Sequence, residues 1–276
     1  MEIDLHIHSD KSDGFYNADQ IFELARENRL KYLSVTDHDI LNEPCLKQRA
    51  LEFGLTLIDG IELSSYIPAA EVHILGYSLR RTPALKNKLE ELRQARLKRF
   101  KAIIQKLDGI GIHIDAEDAL KSIKGTAGRS MAARALVAKG FCKNVSEAFE
   151  KYLSRGRPAY IENQAMTSVE AIKLIKQNGG IACLAHPYRI GLSEMELSVL
   201  IKRFKDYGLD AIETIYPTHS PQEISFLRRQ CDKNKLIPSI GSDFHGGAYR
   251  GAAPASTGGS GLTAKEAERL LNLILI

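Results

Sequence analysis

The residues of this chain that could perform chemistry are histidines and carboxylates spaced two apart in apolar segments. His6 and His8 lie where apolar and polar residues alternate, which predicts a β-strand. Alternate side chains of a strand project from the same face, so the two imidazoles lie side by side, as a two-nitrogen metal chelate requires. Asp243 and His245 have the same spacing near the other end of the chain. The repeated spacing favours a metal site, which a single pair would not do.

Other candidate metal ligands also lie at the ends of apolar segments. Six of the eight histidines end or line predicted strands, joined by three carboxylates: His6, His8, His38, His73, His186 and His245, with Asp13, Glu62 and Asp243. Imidazole and carboxylate ligands suit Zn, Mn or Fe, whereas Ca and Mg favour oxygen ligands alone. Nine ligands exceed the needs of one ion. The pattern therefore predicts two or three divalent ions that share a bridging carboxylate.

Alternating strands and helices position these residues. Strand and helix patterns alternate through residues 1–83 and again through residues 161–276, with polar residues where the strands end. This alternation is typical of parallel βα units, whose active sites lie at the carboxyl ends of the strands. Asn17, Thr167 and Thr263 each begin a capping box, which predicts a helix start. The predicted fold class is α/β.

A basic helical segment interrupts this alternation at residues 84–160. It contains 17 Lys and Arg residues against 8 Asp and Glu residues, a balance of +9, so the rest of the chain carries −5 of the total of +4. We interpret this segment as an inserted helical cap that binds an anion, beside an acidic body that binds cations. Solvated amphipathic helices would give the same balance.

Five residues are candidates for holding a phosphate of the substrate. Arg129 and Ser130 begin a predicted helix after a glycine-rich loop, where free N–H groups and the helix dipole favour anions. Arg134 lies about one turn further on. Arg157 and Arg189 could join a phosphate clamp, although each could equally be a solvated surface residue.

Composition limits the class of protein. The chain has 276 residues, 44% hydrophobic and 26% charged, as in ordinary globular proteins, and no apolar run approaches a membrane span. The cysteines are far apart, which predicts buried reduced thiols and a cytoplasmic protein: Cys45, Cys142, Cys183 and Cys231. Residues 246–261 are rich in Gly, Ala and Ser, which predicts a flexible loop.

Five motifs resemble, in order along the chain, those of the PHP (polymerase and histidinol phosphatase) family. They are D-L-H-x-H at Asp4–His8, T-D-H-D at Thr36–Asp39, G-x-E at Gly60–Glu62, A-H-P at Ala185–Pro187 and G-S-D-F-H at Gly241–His245. The resemblance implies a distorted seven-stranded (β/α) barrel with a trinuclear metal centre. It assigns His6, His8, Glu62 and Asp243 to one ion, Glu62, His73 and His186 to a second, and Asp13, His38 and His245 to a third. Glu62 is the implied bridge.

The helical insert narrows the resemblance to one subgroup of the family. The insert, which contains the segment Gly125–Arg134, is similar to that of 3′,5′-nucleotide bisphosphate phosphatases and of 5′-exoribonucleases of short RNA. The implied substrate is a phosphorylated nucleotide or a short RNA, and the implied metal is Mn²⁺, with Fe²⁺ or Zn²⁺ as alternatives. The segment after His245 departs from the subgroup, because it is rich in glycine and serine. No membrane association and no obligate protein partner are predicted.

The predicted reaction is hydrolysis of a phosphate ester by metal-activated hydroxide. Three divalent ions and three carboxylates leave a net charge of +3, which suits a phosphate ester. Bound metal lowers the pKa of water from about 16 toward roughly 7. Glu62 and Asp243 are the candidate catalytic carboxylates, and His219, by its position near the mouth, is a candidate for assisting the leaving oxygen. The alternatives are a metabolite phosphatase of the histidinol phosphate type and a non-catalytic PHP module that serves a partner.

Overall fold

Two β-sheets flanked by helices form the body of the protein in a computed structural model, which describes residues 2–246, 254 and 261–275. The first sheet has the order β1 (Ile3–Ile7), β2 (Tyr32–Val35), β3 (Thr56–Leu57). The second has the order β4 (Gly60–Ile67), β5 (Ala70–Tyr77), β6 (Ile181–Leu184), β7 (Ala211–Ile215), β8 (Ile237–Ile240). The α/β class predicted from the sequence is confirmed.

A continuous seven-stranded barrel is not confirmed, since the described residues form eight strands in two sheets. Isolated bridges join the sheets at Ile7–Phe244 and at His38–Glu62. The apolar residues between Thr56 and Glu62 predict one strand. The structure divides that segment into β3 and β4, which belong to different sheets.

The parallel pairing predicted from the sequence holds for part of the fold. The strands β1–β3 and β6–β8 pair in parallel. The strands β4 and β5 instead form an antiparallel hairpin, because the two residues between them are too few for a crossover helix. The pair β5–β6 is also antiparallel. This hairpin brings Glu62 and His73 together, with His73 Nδ1 2.8 Å from Glu62 Oε1.

The helices begin close to the predicted positions. They are α1 (Ala18–Glu27), α2 (Cys45–Glu52), α3 (Pro83–Asp108), α4 (Ala116–Ser122), α5 (Arg129–Ala138), α6 (Val145–Ala148), α7 (Ser168–Gln177), α8 (Glu194–Asp206), α9 (Pro221–Asn234) and α10 (Ala264–Ile274). The predicted capping boxes are present at Asn17, Thr167 and Thr263. A π-helical turn, Phe149–Leu153, follows α6.

The helices α3 to α6 bury a hydrophobic cluster of their own. Phe100 and Leu107 from α3 pack with Leu136 from α5 and with Leu153, whereas Leu85, at the start of α3, belongs to a cluster of the body. Helix α3 therefore runs from the body into the helical segment. The division of the chain at residues 84 and 160 stays a prediction.

Two other expectations have mixed outcomes. Cys142, Cys183 and Cys231 are buried and unpaired as predicted, but Cys45, the first residue of α2, is exposed. Of the predicted flexible loop, residues 247–253 and 255–260 lie outside the described residues. Within the described ranges, no helix is both long and apolar enough to cross a membrane.

Candidate metal centre

The nine predicted metal ligands come together in the body, with Glu62 and His73 inside strands β4 and β5. Seven of them are buried, and His38 and His73 are partly buried. Their nitrogen and oxygen atoms form four overlapping groups whose atoms lie within 4.8 Å of one another: His8, Asp13, His38 and His245; His6, Glu62 and His186; His6, His8 and Asp243; and His38, Glu62 and His73. The predicted ligands therefore form one continuous cluster.

Glu62 lies at the centre of this cluster. Five imidazole nitrogens surround its carboxylate: His73 Nδ1 at 2.8 Å, His186 Nε2 at 3.1 Å and His6 Nε2 at 3.3 Å from Oε1, with His38 Nδ1 at 2.9 Å and His8 Nε2 at 3.2 Å from Oε2. Oε2 is nevertheless buried without a hydrogen bond from any described residue. Such an atom, close to nitrogens that do not point a proton at it, fits a cation shared among the ligands.

The remaining donors also suit a transition metal. Nε2 of His6 and Nε2 of His8 are 3.1 Å apart and lie 3.5 and 3.3 Å from Asp243 Oδ1. Two imidazole nitrogens this close need a proton or a cation between them. On the other side, Asp13 Oδ1 lies 3.2 Å from His245 Nε2. This set of nitrogen and oxygen donors fits Mn, Fe or Zn.

The carboxylates of the cluster raise the pKa of some of its histidines, whereas burial lowers the pKa of others. Burial lowers the pKa of His8, but Asp243, Glu62 and Asp13 outweigh it and raise the pKa to about 10. At His73, burial again lowers the pKa, but Glu62 and Glu71 outweigh it and raise the pKa to about 9. Burial raises the pKa of the Glu62 carboxyl, yet the surrounding histidines hold it well below its usual value. Burial instead lowers the pKa of His186 to about 3 and also lowers that of His38. Only some of the imidazoles therefore carry protons where cations would fit.

The backbone is strained beside the cluster. Asp39, His186 and Asp243 have positive φ angles of 57°, 24° and 52°. Such angles in non-glycine residues persist only where neighbouring contacts hold them. Asp39 is held because its Oδ1 accepts a 3.0 Å hydrogen bond from the Ser64 N–H. Two of these residues, His186 and Asp243, are predicted ligands, and strained backbone of this kind is found at functional sites.

Buried carboxylates that the sequence interpretation did not single out support the ligand loops. Asp37 accepts hydrogen bonds from the Ser9 N–H at 2.9 Å and from the Ser12 hydroxyl at 2.5 Å, within the loop that carries Asp13. Asp4 accepts from the Ser242 N–H at 3.0 Å, beside Asp243. Both stand inside the histidine motifs, at Asp4–His8 and Thr36–Asp39. This motif position was the signal that could have revealed them.

A polar cavity opens beside the cluster. Its lining includes Asp13, His38, His73 and His186 from the cluster, together with four arginines, Arg96, Arg99, Arg129 and Arg189. Of the five residues predicted to hold a phosphate, Arg129, Ser130 and Arg189 line it. Arg134 and Arg157 are absent from the described lining, and Arg134 donates to the Lys124 carbonyl at 2.8 Å. The cavity joins the predicted metal centre to cationic side chains.

Arg96 and Arg99 are cavity residues that the sequence interpretation missed. They lie three apart on α3, hence on one face of the helix. Arg96 Nε donates to Asp39 Oδ2 at 2.5 Å, and its Nη2 donates to the Ser64 hydroxyl. Arg99 Nη1 lies 3.4 Å from Glu71 Oε1. In the sequence, only their three-residue spacing could have indicated a shared binding role, and many solvent-exposed helices have arginines at that spacing.

The predicted phosphate residues Arg129 and Ser130 already have protein partners. Arg129 donates to Glu71, and its guanidinium lies 5.6 Å from the Phe149 ring and 5.8 Å from the Tyr160 ring. Burial raises the pKa of Glu71, but Arg129, His73 and Arg99 outweigh it and hold that pKa well below its usual value. The Ser130 hydroxyl donates to Asp13 Oδ2 at 2.8 Å. The first turn of α5 therefore contacts a predicted metal ligand directly.

His219, the predicted helper of the leaving oxygen, is buried outside the described cavity lining. Its Nδ1 lies 3.0 Å from the Thr214 carbonyl oxygen, and burial lowers its pKa. The Tyr216 hydroxyl is nearer to the cluster, because it donates to Asp243 Oδ2 at 2.8 Å and accepts from Arg189 at 2.8 Å. The sequence interpretation missed Tyr216, which stands just beyond β7.

Relatives in sequence identify the family. The chain is 35% identical over 247 residues to the 5′-3′ exoribonuclease Rnm of Salmonella typhimurium, covering 88% of this chain and 84% of that protein. It is 31% identical over 247 residues to a 3′,5′-nucleoside bisphosphate phosphatase of Chromobacterium violaceum, covering 88% and 87%. No protein-family model matches the chain. With its motifs and these relatives, the chain belongs to the PHP family of metal-dependent phosphoesterases, as the sequence predicted.

Solved structures agree with this assignment. An amidohydrolase from Chromobacterium violaceum, solved with bound sulfate, superposes with a TM-score of 0.87 at 28% identity and covers 99% of this chain and 96% of that one. A candidate metal-dependent phosphoesterase from Bifidobacterium adolescentis superposes with a TM-score of 0.82 at 27% identity, covering 98% and 95%. The similarity therefore extends over the body and the helical segment together.

Proposed function

We propose that this protein hydrolyses a phosphate ester of a nucleotide that carries a second phosphate. The observation that supports this most directly is the histidine–carboxylate cluster that opens onto a cavity lined by four arginines. Cations held by the cluster would attract the negatively charged phosphate ester that is cleaved. The arginines would bind a further anionic group of the same substrate. The relatives named as exoribonuclease and bisphosphate phosphatase support the same substrate class.

Two substrates fit this proposal, because both carry two phosphate groups that can be placed in the same way. The first is a 3′,5′-bisphosphonucleotide that loses its 3′-phosphate. The second is a short RNA that loses its 5′-terminal nucleotides. In each, one phosphate ester lies at the metal centre while another phosphate is held nearby. The exoribonucleases among the relatives favour testing RNA beside the mononucleotide.

The proposed cofactor is two or three divalent ions, with Mn²⁺ the first candidate and Fe²⁺ or Zn²⁺ the alternatives. The residues that would hold them are His6, His8, Asp13, His38, Glu62, His73, His186, Asp243 and His245. When bound, such ions lower the pKa of water and withdraw charge from phosphoryl oxygens. Glu62, which has imidazoles beside both of its oxygens, is the proposed bridge.

The other side chains would orient the substrate and the ligands. Arg129, Arg99 and Arg189 are the proposed contacts to the second phosphate, because all three line the cavity. Glu71, paired with two of them, lessens their charge and sets the direction of their guanidinium groups. Ser130 donates to Asp13 and so holds that carboxylate toward the cluster.

The proposed helical cap, residues 84–160, thus serves the substrate and the metal centre alike, and the body supplies the ligands. Proton delivery to the leaving oxygen stays a prediction for Glu62, Asp243 or His219. The ring of His219 lies 5.1 Å from that of Tyr216, which contacts Asp243.

A cytoplasmic location is also proposed, with support from four cysteines that are free of disulfides.

A substrate comparison tests this function. Purified protein supplied with Mn²⁺ is incubated with a 3′,5′-bisphosphonucleotide, a short RNA, histidinol phosphate and an aryl phosphate, and the products are separated and quantified. We expect kcat/KM to be highest for the bisphosphonucleotide or the RNA, and to fall on chelation. Phosphate released only from histidinol phosphate would overturn the nucleotide proposal. Turnover that is unchanged after complete removal of metal would overturn the metal-dependent one.

A further inference from the structure

Glu213 is a buried carboxylate that contacts the metal centre without belonging to the predicted ligands. It lies in β7 and is 0% exposed. Its two oxygens have different partners: Oε1 lies 2.9 Å from His6 Nδ1, and Oε2 accepts a 2.6 Å hydrogen bond from the His186 N–H. A single carboxylate therefore contacts two of the histidines that surround Glu62.

The contact to His6 determines which ring nitrogen is available to a metal. A carboxylate beside Nδ1 accepts a hydrogen bond from Nδ1–H and so favours the neutral tautomer that carries its proton on Nδ1. The opposite nitrogen, Nε2, is then unprotonated and lies 3.3 Å from Glu62 Oε1. In metal sites, a carboxylate on the distal nitrogen of a ligand histidine fixes both its tautomer and its ring direction.

The contact to His186 acts on the backbone. The φ angle of His186 is 24°, a conformation that needs support in a non-glycine residue. The hydrogen bond from its N–H to Glu213 supplies that support. The His186 ring then stacks on that of His6 with centroids 5.6 Å apart, and its Nε2 lies 3.1 Å from Glu62 Oε1. Both imidazoles therefore converge on the same oxygen.

Gly241 makes room for this arrangement. A Cβ atom at that position would lie 2.3 Å from Glu213 Oε1 and 2.3 Å from His6 Cβ. Only the absence of a side chain at Gly241 lets the carboxylate and the imidazole pack this tightly.

We propose that Glu213 is a positioning residue that builds the ion site formed by His6, Glu62 and His186. The inference rests on the proposed metal centre and extends it to a residue that would not touch the ions. Two hydrogen-bond donors, His6 Nδ1–H and the His186 N–H, require two acceptor oxygens, and a carboxylate offers both. A glutamine offers one acceptor and one donor. If its oxygen stays on His186, its NH₂ group stabilises the His6 tautomer with the proton on Nε2, where the metal would bind.

The test is metal binding by Glu213→Gln, and Asp210→Asn is the matched control. Asp210 stands just before the same strand, and its Oδ2 accepts a 2.9 Å hydrogen bond from the Ala182 N–H of β6, but none of its described contacts is with an imidazole. Zn²⁺ affinity is measured by competition with a chelator, and bound ions are counted by elemental analysis after dialysis. Circular dichroism and the unfolding midpoint of the metal-free proteins report the fold.

We expect Glu213→Gln to stay folded and to bind one ion roughly 10- to 100-fold more weakly, while the other ions are kept. Asp210→Asn should match the wild type. If folded Glu213→Gln and the wild type bind equal numbers of ions with equal affinity, the proposed role of Glu213 is overturned, but the metal centre is not. Equal weakening in both variants would also overturn that role, because the effect would then be general. A wild type that binds no divalent ion would overturn the metal centre as well.

A measurement on the wild type keeps the proposal testable if the variant fails to fold. In Zn²⁺-loaded protein labelled with ¹⁵N-histidine, NMR distinguishes a protonated ring nitrogen from a metal-bound one. The proposal requires His6 Nδ1 to carry the proton and Nε2 to be bound. The opposite assignment would overturn it.

Discussion

At the residue scale, Glu62 has the largest consequence for the metal centre. Imidazoles approach both of its oxygens, so its negative charge serves more than one ion of the proposed centre. We expect Glu62→Gln to lose more than one ion and nearly all activity. Elemental analysis and turnover of the dialysed variant check this, with Glu43→Gln, an exposed carboxylate paired with Lys11, as the control. Full metal occupancy with normal turnover would show that Glu62 is not a bridge.

The histidines make a second prediction about pH. In the metal-free protein the pKa of His8 is about 10 and that of His73 about 9, above the value of about 6.5 in an unfolded chain. A raised pKa adds stability that is complete below pH 6.5 and is lost as the pH rises through 9 to 10. The free energy of unfolding of metal-free protein should therefore fall between pH 7 and pH 10.

Urea unfolding across this range checks the prediction. His8→Asn provides the control, because the decline that remains in that variant comes from other groups, His73 among them, and only the difference from the wild type reports His8. The wild type should lose more stability over the interval than His8→Asn does. If the two proteins have parallel profiles, the buried imidazole does not carry the proposed proton.

Seven of the nine predicted ligands stand in the five short motifs, whereas Asp13 lies in the loop after β1 and His73 lies inside β5. The histidine pairs need only the two-residue period of a strand to be placed side by side. Arg96 and Glu71 were not predictable, since their roles depend on partners far away in the chain. Arg96 meets Asp39 from 57 positions away, and Arg129 meets Glu71 from 58 positions away. Local patterns contain no information on such contacts.

At the scale of elements, α5 brings Arg129 to the cavity, and this makes a prediction about substrates. Arg129→Ala removes a charge-assisted contact worth roughly 1.5–3 kcal/mol, about ten- to more than a hundredfold in kcat/KM. The loss should be confined to substrates with a second phosphate, and an aryl phosphate should be cleaved almost as before. Metal content should not change.

Arg157→Ala is the matched control for that variant. Arg157 belongs to the same basic segment but is exposed and is absent from the described cavity lining. It should leave both activities unchanged. Equal losses on both substrates in Arg129→Ala would mean that the contact with Glu71 supports the structure and does not hold the substrate.

The elements were predictable to different degrees. The helices followed from capping residues and amphipathic spacing, which are local properties. The separation of β3 from β4 did not, because Thr56–Glu62 looks like one strand until its two halves find different partners. The antiparallel pairing of β5 with β6 also depends on residues about a hundred positions apart, beyond the helical segment. Strand pairing is non-local, and hydrophobic periodicity cannot specify it.

At the scale of the whole molecule, the metal centre draws its ligands from both sheets. His6 lies in the first sheet, with His8 just beyond its strand β1, and Glu62 and His73 lie in the second. The bridge His38–Glu62 joins the two sheets at the cluster. Ions that bind only the folded protein should stabilise it by about 2.7 kcal/mol at one hundred times their dissociation constant.

Calorimetry with and without metal checks this expectation. The unfolding temperature should rise with added Mn²⁺ and fall when a chelator removes it, while the far-UV circular dichroism of the folded protein stays the same. Glu62→Gln should respond less than the wild type does. An unfolding temperature independent of Mn²⁺ would mean that the ions do not hold the two sheets together.

The order of the ligands along the chain sets the order in which the centre can form during synthesis. The group of His38, Glu62 and His73 is complete once the first 73 residues are made, whereas the group with His245 waits for the strand β8. At about 5–20 residues per second, the ribosome needs roughly 10–30 s to make the residues between them. A nascent chain therefore holds part of a chelating site well before its last ligands emerge. Until then, those early imidazoles can meet whichever divalent ion is abundant around the ribosome.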